Sequence, residues 1–130
     1  MGEPVLVALL IADRVIEEKN SKKGIIGTFT TFNAPAFPVS FPPWFIYAAV
    51  TNLAGEHDFA LNLAHARTSQ IVVGISGKFS AASAEQVVEL VIPVPKAVFP
   101  SEGKYDLTFQ VDSTPLGARV LSVVPAKGTT

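Results

Sequence analysis

Between Asp58 and Ala66 the chain reads DFALNLAHA, with Phe59, Leu61 and Leu63 on one parity and Asp58, Ala60 and Asn62 on the other. Side chains alternate across a strand with a period of two, so this stretch can bury one face and wet the other only as a β-strand. The rest of the chain follows the same pattern. Strand-type segments recur at residues 5–16, 24–32, 44–53, 70–79, 85–94, 104–112 and 118–124, rich in Val, Ile, Thr and Phe and separated by turn formers. Residues 82–91, ASAEQVVELV, offer the main helical alternative, with Ser83 and Gln86 spaced as a capping box. The Val-rich run and Pro93 favour a strand there. Such spacing without a three-turn helix predicts an all-β fold with little or no helix, an immunoglobulin-like antiparallel β-sandwich of about seven to eight strands. Residues 1–125 are read as one domain and 126–130, AKGTT, as a flexible tail. Segments 104–112 and 118–124 read as a hairpin, with DSTPLG at 112–117 as a turn where the ladder stops.

Charged residues make up 16% of the chain, where about 25% is usual. A surface so poor in charge, with open strand edges, predicts apolar patches and a protein partner, either a second copy of the chain in a homo-oligomer or another protein. The net charge of -1 and the lack of a basic block speak against nucleic acid. The chain has no cysteine, which removes disulfides, thiolate metal sites and cysteine nucleophiles together. The apolar run PVLVALLIA at 4–12 follows Glu3 rather than a basic region and is too short to span a bilayer. It reads as neither signal peptide nor membrane span, which leaves a soluble protein in the cytoplasm as the default.

The sequence holds no catalytic motif. His57 and His65 flank one strand about 26 Å apart when extended, too far to share a metal, and read as strand-end residues near solvent. GISG at 74–77 lacks the spacing of a nucleophile elbow, and no phosphate-binding glycine loop is present. We therefore assign no catalytic, cofactor-binding or metal-binding residue. Asp13 shares parity with Leu9, Ile11 and Val15, so a regular strand aims it at the core, while a bend at Ala12 and Asp13 lets it tie down backbone amides instead. The stretch AFPVSFPPWF at 36–45 is stiff and poor in amide donors, and must be held by side chains. Phe37 and Phe41 can face inward together, and Trp44 opens the next strand. Tyr105, entering a late strand just after Gly103, suits a tyrosine corner. Together these describe a non-enzymatic binding or assembly module. The alternative is a small-molecule-binding protein, or an enzyme without a familiar motif, with a pocket near Asp13 or beneath residues 36–45.

The segments ALLIADRVIEEKNSKKGIIGTF, FNAPAFPVSFPPWFIYAAV and GEHDFALNL resemble a family of small bacterial proteins of unknown function. In that pattern an aspartate, here Asp13, sits in the first strand and a lysine-containing turn leads to an Ile-Gly pair, here Ile26 and Gly27. Some members carry a cysteine beside the aspartate, where this chain has Ala12. The ending GKYDLTFQVDSTPLGARVLSVV is similar to the final hairpin of bacterial immunoglobulin-like sandwiches. The resemblance implies a fold and brings no activity.

Overall fold

Alternation along each segment produces strands throughout. A computed structural model describes residues 3–94 and 96–126 and contains, among them, eleven strands and no helix. They are β1 (Val5–Glu17), β2 (Lys23–Thr28), β3 (Thr31–Ala34), β4 (Val39–Ser40), β5 (Trp44–Thr51), β6 (Gly55–His65), β7 (Ile71–Ala81), β8 (Val88–Val94), β9 (Val98–Phe99), β10 (Gly103–Val111) and β11 (Thr114–Pro125). One sheet has the order β2-β1-β5-β8, the other β3-β11-β10-β6-β7, and β4 and β9 form a two-stranded ribbon. Among the described residues no helix is long and apolar enough to cross a membrane.

The sheets face each other as a β-sandwich over a single core. Its inward rows are Leu9 and Ile11 of β1; Trp44, Ile46, Ala48 and Val50 of β5; Leu61 and Leu63 of β6; Leu107 and Phe109 of β10; and Leu121 and Val123 of β11. Each is separated from the next in its row by one residue, which is why alternation in the sequence becomes burial in the fold. Burying one such large apolar side chain stabilises the fold by roughly 1.5–3 kcal/mol, so these rows dominate the driving force.

The fold differs from the sequence expectation in three places. There are eleven strands rather than seven to eight, because segment 24–32 breaks at Phe29 and Thr30 as the chain leaves one sheet for the other, and because β4 and β9 are two-residue pairings. The sandwich is not wholly antiparallel, since β3, arriving from the opposite sheet, joins β11 in parallel from Thr31↔Ser122 to Ala34↔Pro125. The turn after β10 is only Asp112 and Ser113, both at positive φ, as a two-residue hairpin turn demands. The ladder then continues through Gln110↔Pro115 and Phe109↔Gly117, with Leu116 as the extra residue of a bulge. Ala126, the first residue of the expected tail, donates its N–H to Ala34 O at 2.7 Å; the rest of the tail lies outside the described residues. At 82–91 the strand prevails. Ser83 to Gln86 is a turn, closed by Gln86 N–H to Ser83 O at 3.2 Å and by the Gln86 amide oxygen accepting from Ala82 N–H at 2.6 Å.

Candidate functional site

The proline-rich segment, β3 and the start of β5 bring rings together at one end of the sandwich. Phe32 stacks on Phe41 with centroids 3.9 Å apart and planes 8° off parallel, and meets Trp44 edge-on at 5.7 Å. Phe99 lies 5.8 Å from Phe41 and 5.0 Å from Tyr105. Trp44 is 2% exposed, while Phe37 and Phe41 are half-buried against the core. Phe41, Trp44 and Tyr105 thus share one aromatic cluster, while Phe37 packs against the core. Phe29, Phe32 and Phe99, which the sequence reading did not single out, complete it. The signal for them was present: each is a phenylalanine within four residues of a strand switch or a proline.

Tyr105 is fully buried, and its hydroxyl donates to Ser101 O at 2.6 Å, four residues back. Its neighbour His65, edge-on at 4.8 Å, is only 4% exposed. This corrects the expectation of a histidine near solvent. His65 continues the inward row of Leu61 and Leu63, so its ring enters the core end instead of the bulk. There Nε2–H donates to Glu102 O at 3.0 Å, and Nδ1 accepts from the N–H groups of Arg67 at 3.1 Å and Thr68 at 3.3 Å. All the ring's polar capacity is used, so His65 clasps two loops and has nothing left for a ligand or a substrate proton.

Asp13 departs from its expected place. The β1–β5 ladder ends at Ala12↔Phe45, and beyond it β1 pairs only with β2, outside the two-sheet overlap. No opposing sheet covers Asp13, so its side chain is exposed although its parity is inward. The carboxylate lies over Gly27, where φ is +73° and a Cβ would collide with it. It accepts no hydrogen bond and forms no ion pair among the described residues, so the amide-tying role is not found. At the hairpin tip Lys23 instead pairs with Glu17 at 2.7 Å.

Two further polar contacts escaped the sequence reading. The Tyr47 hydroxyl donates to the Glu89 carboxylate on the outer side of the four-stranded sheet. Burial first, then that bond, push the Tyr47 phenol up to about 12, so it stays a proton donor and offers no nucleophile. The second is His57, whose Nδ1 lies 2.7 Å from Asp112 Oδ2 and Nε2 2.8 Å from Ala54 O, while Asp112 Oδ1 accepts from Asp58 N–H at 3.0 Å. The Asp112 bond and then the Ala54 carbonyl raise the His57 pKa; the His57 bond and then the Asp58 amide lower that of Asp112.

A pH dependence follows from this pair. With His57 raised above its ordinary 6.5, its contribution is complete below that pH and is lost as pH rises through the folded-state value. With Asp112 lowered from 3.8, its contribution is present above that value and is lost as pH falls through the folded-state one. Melting temperature measured against pH should therefore hold between these limits and fall on the alkaline side of 6.5, and His57→Gln should remove the alkaline fall. An unchanged fall in that variant would assign it to another group.

The described residues contain no group of three or more His, Asp or Glu side chains able to hold a metal ion. They do contain a cleft, whose lining includes neither Asp13 nor any of residues 36–45. It opens laterally between β1 and β11, has a volume of about 230 Å³ and is lined by Leu9, Ile11, Thr28, Phe29, Thr30 and Arg119 among others. Arg119 stands in the inward row of Leu121 and Val123, and its Nε–H donates to Leu9 O at 2.7 Å. A charge in an apolar row was the available signal. A second hollow, beside His65 and Gly103, is bounded by groups already bonded to one another.

No curated protein matches the chain. One family model, described as a family of unknown function (DUF6941), matches residues 7–124 and so runs from β1 to β11, taking in Asp13, the aromatic cluster, Tyr105 and Arg119. The chain belongs to this family of unknown function, DUF6941.

Proposed function

We propose that the chain is a non-enzymatic binding and assembly module, working in the cytoplasm, that joins a second copy of itself through the free edge of β7. The observation that carries this reading is the contrast between β7 and the other sheet edges. β3 has four residues, β2 has six with Lys23 and the positive-φ Gly27, and β8 carries Pro93 and Glu89. Such features keep an edge from templating another strand. β7 has eleven residues, no proline and one charged side chain, Lys78, which sits 3.6 Å from Asp58 of its own chain. Ile71 at its start is 59% exposed. Two copies pairing antiparallel about the middle of β7 bring no like charges face to face and join two five-stranded sheets into one, as a two-fold interface does. The reading takes the sandwich as immunoglobulin-like, which the order β11-β10-β6-β7, the parallel β3 edge and the Tyr105–Ser101 bond support.

Light scattering at micromolar concentration should report a dimer, and Ser76→Lys, which sets like charges together at the strand centre, should dissociate it. A monomer at every concentration, or a dimer indifferent to charge on β7, would remove the reading.

A further inference from the structure

The sandwich is open along the side opposite β7, from which it is separated by β10 and β6. β3 pairs with β11 only from Ser122 to Pro125, and β2 with β1 only from Ala12 to Glu17. The first halves of β1 and β11 therefore face each other with no strand between them, and the lateral cleft lies where they meet. Its apolar lining includes Leu9, Ile11 and Phe29, and its polar lining is Thr28, Thr30 and Arg119. No carboxylate lines it, and Arg119 forms no ion pair among the described residues.

The arginine is also oriented. Its Nε–H is engaged by Leu9 O, which holds the guanidinium plane at the rim, while the two Nη groups have no protein partner among the described residues. That leaves the end-on pair of parallel N–H donors, the geometry that a carboxylate accepts with both oxygens. An oriented cationic fork, two threonines and apolar side chains line a space of about 230 Å³, below the roughly 300 Å³ at which drug-sized pockets begin.

We propose that this cleft binds a small carboxylate bearing a short apolar tail, with the carboxylate on the Nη fork of Arg119 and the threonine hydroxyls, and the tail on Leu9, Ile11 and Phe29. The chemistry fits a free short-chain acid and the C-terminal carboxylate of an apolar peptide. The inference is independent of self-association through β7, and its test does not use oligomeric state.

The test is a titration of the isotopically labelled full chain, followed by amide NMR, with hexanoate, hexan-1-ol, and a short apolar peptide as its free acid and as its amide. Hexanoate should shift the amides of residues 9–11, 28–30 and 119–120, with hexanol at least tenfold weaker. Arg119→Gln should weaken the hexanoate response at least tenfold, and Arg119→Lys, which keeps the charge but loses the fork, by less. The peptide acid binding more tightly than hexanoate identifies C-terminal capture; the reverse order identifies a free acid. Either supports the site. No shift at these amides, equal responses to hexanoate and hexanol, or full binding by a folded Arg119→Gln would overturn it and leave Arg119 as a structural clasp. Should Arg119→Gln not fold, the comparison of acid with alcohol on the parent chain decides.

Discussion

Phe99→Ala is expected to lower the unfolding free energy by about 4 kcal/mol, within the range for truncating a fully buried phenylalanine. Phe99 has no exposed surface, and its ring lies 5.9 Å from Phe32, 5.8 Å from Phe41 and 5.0 Å from Tyr105. β9, which carries it, has two residues, paired only as Val39↔Phe99 and Ser40↔Val98. So short a ladder cannot hold the chain end in place, and the side chain does most of the holding. Truncation loses the transfer free energy of the ring and opens a cavity whose walls are other rings with few alternative rotamers. Denaturant unfolding should show a lower midpoint at an unchanged slope. Val98→Ala, at a residue 48% exposed next in the chain, should change stability by less than about 0.5 kcal/mol. A Phe99→Ala loss below about 1 kcal/mol would mean that the aromatic end collapses around the gap and is not a fixed scaffold.

Gly103→Ala should cost about 3 kcal/mol, from two causes that can be separated. The residue has φ of +136°, which an alanine adopts only under strain of roughly 1–3 kcal/mol. In addition, its Cβ would stand 2.6 Å from His65 Nε2 and 3.1 Å from Cε1. That ring cannot swing aside, because bonds to Glu102 O and from the Arg67 and Thr68 amides hold it, and moving it leaves buried polar groups unpaired at about 1–3 kcal/mol. Gly55 provides the control, with φ of +86° and no atom within 4 Å of the place a Cβ would take. Gly55→Ala therefore reports the backbone strain alone and should cost about 1 kcal/mol. Equal losses at the two positions in thermal or chemical melts would show that the His65 clasp yields, contrary to the geometry.

The aromatic segment illustrates how far local chemistry reaches. Pro42 and Pro43 lack amide hydrogens, so the crossing from β4 to β5 had to be held by side chains, and the segment's own composition says so. What holds it, however, is Phe32 stacked on Phe41 and Phe99 packed behind, residues that come from a preceding strand and from one more than fifty positions later. Tyr105 was readable because its partner, Ser101, is four residues away. His65 was not, because its burial depends on the Glu102 loop arriving from another part of the chain.

Asp13 and Arg119 make the division plain. Both are single charges in otherwise apolar, inward rows, and by alternation alone both point to the core. Strand content, row membership and the sites of most turns were determined by the sequence itself, because side-chain period and turn propensity act over neighbouring residues. Whether an inward row is covered depends on which strands lie opposite, and those pairings join residues far apart in the chain. β1 outruns the overlap of the sheets at Ala12, so Asp13 is left in solvent beside Gly27. β11 runs beside β1 before β3 covers it, so Arg119 reaches Leu9 O and stands over a cleft. The same local signal thus ends in two different places, and the tertiary structure alone decides between them, since only it sets where one sheet stops and the other begins.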